Sequence, residues 1–381
     1  MIFSGLKLIG DTDSLISIAS DDRGFISDIT YTYHKDGEPF EGYITPGLID
    51  THIHGAGGFD TSDGDVKGIL EMSRILALHG IAAFCPTTMT ISAEDILKSC
   101  RAVSEAQKII ECSEEPYSKI LGIRLEGPLF NKDMCGVQKS DCCLTPDEGI
   151  DLIERIESEF PDLIKIIDIS PELDGADRFI SLFKDRYVIS LAHTNAGYDI
   201  ASNAFSRGAV SITHALNAMP PILKRETGVL GAAIDNNAYV EVIADLHHIH
   251  GAMLKLLYSD VFEGKVITIS DSMRGAFMPD GIYDLGGTPV TVKDNRTYFG
   301  PEGNIAGSVS CLTSELSNLM SLGIDPGRIV DSMTVTPLGR MGLLDDKSYP
   351  GIIETGRPCT FNVYDKEYNL IRTIINGKSI K

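Results

Sequence analysis

Apolar and polar positions follow two different patterns along the chain. Over residues 1 to about 45 they alternate weakly between the turn-formers Asp21-Asp22-Arg23-Gly24 and Asp36-Gly37-Glu38-Pro39, which predicts several short antiparallel strands. The far end reads the same way. Thr360-Phe361-Asn362-Val363-Tyr364, a polar turn, and an apolar run from Leu370 to Ile375 before Asn376-Gly377 look like hairpin material, because Asn-Gly is a strong two-residue turn signal. Residues 1–46 and 345–381 are therefore expected to build one small β-sandwich domain.

Between the two ends the period changes. Short apolar runs at 119–124, 164–169, 187–192 and 265–269 alternate with amphipathic segments of helical length, such as Ala93 to Glu111 and Pro146 to Glu159. The second of these opens on Thr145-Pro146-Asp147-Glu148, a helix-start signal. Repeated strand then helix implies parallel βα units. Polar residues gather just after the apolar runs, which favours an α/β fold of the (β/α)8 TIM-barrel type over 47–344, with its active site at the strand C-termini. A doubly wound open sheet is the competing architecture, but no Gly-x-Gly-x-x-Gly follows the first strand and no Walker-type loop is present.

Charge narrows the partners. The 33 Lys plus Arg against 54 Asp plus Glu leave a net charge of −21, and both nucleic acids and anionic membranes draw affinity from basic residues. The reading is a folded protein for small-molecule ligands, with any phosphate met by a local cation. The start of the chain has no basic segment leading into a long apolar run, and no apolar stretch approaches the roughly 18 residues of a membrane span. A cytoplasmic protein is expected. The eight cysteines are irregularly spaced without a Cys-x-x-Cys and read as free thiols, none flanked by a nucleophile signature.

Candidate chemistry sits at the ends of apolar runs. In Pro46-Gly47-Leu48-Ile49-Asp50-Thr51-His52-Ile53-His54-Gly55 the two histidines share one face of a strand, suited to a divalent metal or to two backbone-bonded half-buried rings. In Leu121-Gly122-Ile123-Arg124-Leu125-Glu126-Gly127-Pro128 an acid ends the run, and its partner is either a metal or a nearby Arg or Lys. His193 and His214 each close an apolar strand, with room for one helix between them. Asp271 ends Val266-Ile267-Thr268-Ile269-Ser270-Asp271, where an acid is a metal ligand, a general base or a helix N-cap. Together His-x-His, Glu, His, His and Asp make an N/O set suited to zinc or iron that activates water.

These residues resemble the amidohydrolase superfamily, and within it the N-acetylglucosamine-6-phosphate deacetylases, over nearly the whole chain. The resemblance rests on Leu125-Glu126-Gly127-Pro128, Ala192-His193-Thr194, Thr213-His214-Ala215-Leu216-Asn217-Ala218-Met219, Ala244-Asp245-Leu246-His247-His248, Ser270-Asp271-Ser272-Met273, the stretch from Pro279 to Gly287, and Ile305-Ala306-Gly307-Ser308. It implies a hydrolase that removes acetate from the 2-acetamido group of a sugar 6-phosphate in amino-sugar catabolism. By analogy Glu126, His193 and His214 hold a principal divalent metal, zinc or iron, and His52 and His54 a second one with Glu126 bridging. Asp271 would act as general base and then acid, with His248 near the reacting carbonyl. Arg225 would reach the phosphate across the interface of a homodimer, and Val137, Gln138, Asn217, Ala218, Ile305, Ala306 and Gly307 would line the substrate.

Two positions depart from the family pattern. Gln138 stands where the family usually has a histidine at the phosphate end, and Arg274 stands where small residues are usual; Arg274 would either supply a cation or narrow the pocket. The alternatives are deacetylation of N-acetylgalactosamine 6-phosphate, cleavage of another small amide, and a metal-binding barrel without catalysis. A binding module has no need of a general base, so Asp271 argues against the last.

Overall fold

The apolar runs of the middle segment become barrel strands in the computed structural model, which describes residues 1–11, 13–34 and 39–380. Eight parallel strands follow one another: β1 (Leu48–Ile53), β2 (Ile81–Thr88), β3 (Ile123–Leu129), β4 (Ile164–Ile169), β5 (Val188–Leu191), β6 (Ser211–Ile212), β7 (Tyr239–Val242) and β8 (Val266–Thr268). Each pairs with the next in sequence. Closure between first and last runs through the ends of the strands, where Ile53 bridges Ser272 in parallel and the Asp271 amide donates to the His52 carbonyl at 3.0 Å. One expected run differs. Gly122, with φ of +136°, splits 119–124 into a short strand, Lys119–Ile120, on the edge of β2 and the start of β3. A Cβ at Gly122 would lie 2.5 Å from the Leu163 carbonyl oxygen, so the break needs glycine.

A helix follows every strand: α1 (Val66–Leu78), α2 (Ala93–Glu111), α3 (Pro146–Glu159), α4 (Ala176–Phe183), α5 (Tyr198–Arg207), α6 (Gly228–Asp235), α7 (Gly251–Leu257) and α8 (Leu312–Ser321). The start signal of α3 is a full capping box between Thr145 and Glu148 with Pro146 in the first turn, and Ile150, Leu152, Ile153 and Ile156 form its buried side. Between β8 and α8 the chain inserts an antiparallel three-stranded sheet, Gly281–Leu285, Thr288–Lys293 and Arg296–Tyr298. The sequence reading did not separate these strands.

The two chain ends meet in one seven-stranded sheet, ordered Lys378–Ser379, Leu370–Ile375, Phe361–Tyr364, Gly42–Pro46, Ile2–Leu8, Ser14–Ser20 and Ile26–Tyr33. It has its own apolar core, with Phe3, Ile16, Ile18, Ile44 and Phe361 at the centre. Asp21 caps its turn by accepting from the Arg23 and Phe25 amides. Asp36, Gly37 and Glu38 of the other expected turn lie outside the described residues. Among the described residues no helix is long and apolar enough to cross a membrane.

The barrel interior carries a buried ionic layer. Arg124 donates to Asp168 of β4 at 2.8 and 2.9 Å, to Glu241 of β7 at 2.6 and 2.9 Å and to the Thr51 carbonyl of β1 at 3.2 Å. Arg340, on the helix Val335–Arg340, reaches the same Glu241 at 2.5 Å and Thr51 Oγ1 at 2.8 Å. Two guanidinium groups thus face two carboxylates, and one layer of side chains cross-links β1, β3, β4 and β7 beneath the strand ends.

Candidate metal centre

Alternation along the strands decides which side chains reach the barrel axis. Arg124 and Glu126 are two apart on β3, so both point inward, Arg124 into the ionic layer and Glu126 one layer above it. His52 and His54 share the inward face in the same way. His193, His214 and Asp271 lie just beyond β5, β6 and β8, and each has a left-handed backbone, with φ of +44°, +31° and +48°. The chain turns sharply at these strand ends, a conformation that is costly for residues with a Cβ and typical of functional sites. No helix starts at Asp271, which removes its N-cap alternative.

Six side chains converge. His214 Nε2 is 3.1 Å and His193 Nε2 3.3 Å from Glu126 Oε1, and the two ring nitrogens are 3.3 Å apart. His54 Nε2 is 3.1 Å from the other oxygen, Glu126 Oε2, and His52 Nε2 is 3.4 Å from Oε1. Asp271 Oδ1 stands 3.4 Å from Nε2 of both His52 and His54. Two ligand groups result, His52 with His54 and Asp271, and Glu126 with His193 and His214, each with its donor atoms within 4.8 Å of one another. All six residues are buried.

The ring orientations suit a cation. His54 Nδ1 lies 3.2 Å from the Thr87 carbonyl and His193 Nδ1 lies 3.0 Å from the Met134 carbonyl. A carbonyl accepts only from N–H, so Nδ1 carries the proton and Nε2 aims a lone pair into the cluster. Phe130 stacks on His193 with centroids 4.4 Å apart and holds the ring plane. Burial and the Arg124 charge lower the His52 pKa, but the Glu126 and Asp271 carboxylates outweigh them and bring it to about 9. Burial likewise raises Glu126, and the surrounding imidazoles overcome it and hold the carboxyl well below its usual range. The field at the cluster favours positive charge, and the donor set of four imidazoles and two carboxylates fits a divalent metal of the zinc or iron kind.

The cluster forms the floor of a cleft of about 340 Å³. Val137, Gln138, Asn217, Ala218, His248, Ile305, Ala306 and Gly307 all line it, with Leu285 from the inserted sheet and Phe299 just after it. His248 is fixed by Asp245, whose Oδ2 lies 2.8 Å from Nδ1 while Oδ1 accepts from the amides of residues 247 and 248. Burial tends to raise the Asp245 carboxyl, and the His248 bond and charge together with the amides of residues 247 and 248 outweigh this and lower it. Of the adjacent histidines, His250 instead caps α7.

Three of the singled-out residues stand in different surroundings. Gln138 lines the cleft and is tied to the metal cluster: its side-chain amide donates to Glu126 Oε2 and its oxygen accepts from the Thr90 amide at 2.6 Å. Arg274 does not line the cleft, because Asp63, Asp284 and Asp60 hold its guanidinium at 2.8, 3.5 and 3.7 Å. Arg225 is exposed on the loop between His214 and α6 and does not line its own chain's cleft. The sequence reading also missed the supports of His193. Ser170 Oγ donates to its carbonyl at 2.7 Å, and Glu172 accepts from the Asn195 amide and the Thr194 hydroxyl. Their signal was position, since both follow the C-terminal end of β4.

Comparison with known proteins agrees with this geometry. The model of the amidohydrolase family matches residues 43–380. An N-acetylglucosamine-6-phosphate deacetylase of Bacillus subtilis (strain 168) is 31% identical over 373 residues, 97% of this chain and 91% of that protein. An N-acetylgalactosamine-6-phosphate deacetylase of Escherichia coli O157:H7 is 29% identical over 343 residues, 88% of this chain and 87% of that one. The crystal structure of the N-acetylglucosamine-6-phosphate deacetylase of Thermotoga maritima superposes with a TM-score of 0.85 at 26% identity, covering 100% of this chain and 99% of that chain. With a family match across most of its length and a histidine and carboxylate cluster at the barrel mouth, this chain belongs to the amidohydrolase family.

Proposed function

We propose that the protein is a metal-dependent deacetylase that converts N-acetyl-D-glucosamine 6-phosphate to D-glucosamine 6-phosphate and acetate. The observation that carries this reading is Asp271: a buried carboxylate, free of any capping role, 3.4 Å from two imidazole nitrogens and open to the cleft. The names of the relatives support the substrate class. Glu126, His193 and His214 would hold the principal zinc or iron, and His52 and His54 a second ion, with the Glu126 carboxylate close to both groups. A divalent metal in such a site supplies Lewis acidity, lowering the pKa of water and polarising the amide carbonyl.

This chain's own residues do the rest. Asp271 takes the proton from the attacking water and returns it to the departing amine, so one carboxylate serves both halves of the reaction. Asp245 fixes His248 through Nδ1 in the cleft wall, which leaves Nε2 to serve as the polar group where the oxyanion develops. The backbone of Asn217 and Ala218 meets the sugar, since the Asn217 side-chain amide is engaged with the His214 and Ala215 carbonyls. The exposed Arg225 would serve the neighbouring subunit of a homodimer, supplying the guanidinium that a 6-phosphate needs in a protein of net charge −21. The reading places the enzyme in the cytoplasm.

The galacto epimer is the second reading, favoured by the relative of that name. Epimers differ in one hydroxyl, so a few contacts decide between them. Acetate release from the two epimers, compared as kcat/KM, separates the readings. A preference for the galacto sugar would replace the first.

A further inference from the structure

The loop from Phe130 to Leu144 carries two cysteines whose geometry the proposed hydrolysis does not use. Cys135 Sγ and Cys143 Sγ are 3.4 Å apart, and neither takes part in the metal cluster. Both pack on Phe130 and Ala192, the residues next to the wall of His193, and Phe130 is the ring that stacks on His193. Cys135 also opens the turn that faces the cleft. Its carbonyl accepts from the Gln138 amide at 2.9 Å, and the two residues between, Gly136 and Val137, line the cavity. The preceding residue, Met134, gives the carbonyl that holds His193 Nδ1.

We propose that Cys135 and Cys143 are a modification site: a peroxide converts them to a disulfide, and the bridge shifts the 134–138 wall of the cleft. The chemistry balances without any other reagent. The Cys143 sulfur attacks one peroxide oxygen, the O–O bond breaks, and water or an alcohol leaves, with a sulfenic acid formed. The Cys135 sulfur then attacks that sulfur, the S–O bond breaks, and a second water leaves as the S–S bond forms. Two thiols are oxidised and one peroxide is reduced. Cys143 suits the first role because it is only half-buried, whereas Cys135 is buried. The hydrogen bond from the Cys135 thiol also holds the Cys143 thiol below its usual range, although burial opposes this. A disulfide needs its sulfurs about 2 Å apart, so bridging draws residue 135 towards residue 143. Met134 and the 136–138 turn must follow, since the backbone connects them directly.

The test uses the full-length holoenzyme, freed of reductant and treated with hydrogen peroxide. The expected product has lost two of its eight titratable thiols, gives one cross-linked peptide joining residues 135 and 143 on non-reducing mass analysis, and shows a several-fold rise in KM that dithiothreitol reverses. Cys143→Ser should keep the untreated KM and lose both the cross-link and the response, while Cys142→Ser should retain both. The cross-link is read by mass and does not depend on which substrate the cleft takes. Failure to form the 135–143 bridge, a bridge through Cys142 instead, or a bridge that leaves KM unchanged would overturn the proposal.

Discussion

At the scale of single residues, the site depends on strand ends that bend out of the β region. His193, His214 and Asp271 all have positive φ, and each is held by neighbours that over-determine the turn, such as Ser170 on the His193 carbonyl. Asp271→Asn keeps the shape and removes the base. It is expected to lower kcat by about 10²- to 10⁴-fold while Glu126, His193 and His214 keep the principal metal; an unchanged rate would remove Asp271 from the mechanism. Gln138→Leu strips the amide donor from Glu126 and the acceptor from the buried Thr90 amide. Leaving those groups unsatisfied is expected to cost about 1–3 kcal/mol in urea unfolding, and a variant as stable as the parent would show that the two bonds contribute nothing. The residues of the candidate ligand cluster were legible in the sequence, because a strand that ends in His or Glu is unusual. The place of Gln138 was not, since a family position names a residue without saying which way its amide turns.

At the scale of elements, the parallel strands and their helices were legible because their apolar periods differ. The inserted sheet from Gly281 to Tyr298 was not, although Gly286-Gly287 and Asp294-Asn295 mark its turns. Its strands are half-exposed, with every second residue of Thr288–Lys293 outside, and a polar alternating run next to a motif reads as loop. Arg274 ties the segment after β1 to this sheet through Asp63 and Asp284. Arg274→Ala is expected to raise amide exchange across 281–298 without changing metal content; unchanged exchange would mean that the three ion pairs do not hold the sheet. The ionic layer also went unread, although Arg124 stands two residues before Glu126 and must share its face. Arg124→Met leaves Asp168 without a guanidinium and Glu241 with Arg340 and, at 3.7 Å, His52 Nδ1. About 3–5 kcal/mol of stability should be lost, and a loss below 1 kcal/mol would show that water or rearrangement satisfies the acids.

At the scale of the whole molecule, both chain ends pair in one sheet while the barrel strands point their C-terminal ends at one cleft. This arrangement was legible because the two period regimes bracket each other in sequence. What no pattern in one chain reveals is whether a residue acts on a neighbouring subunit, the question that the exposed Arg225 poses. Light scattering is expected to give the mass of two chains, and Arg225→Ala is expected to raise KM for the phosphorylated sugar without changing that mass. A monomer with full activity would remove the shared-site reading. The central claim is tested most directly by acetate release from N-acetylglucosamine 6-phosphate, measured beside the unphosphorylated sugar and the galactosamine epimer with metal content determined on the same sample. The account predicts fast release from the first alone, abolished by a chelator and restored by zinc or iron. No release from any of the three by protein with its metal bound would contradict it.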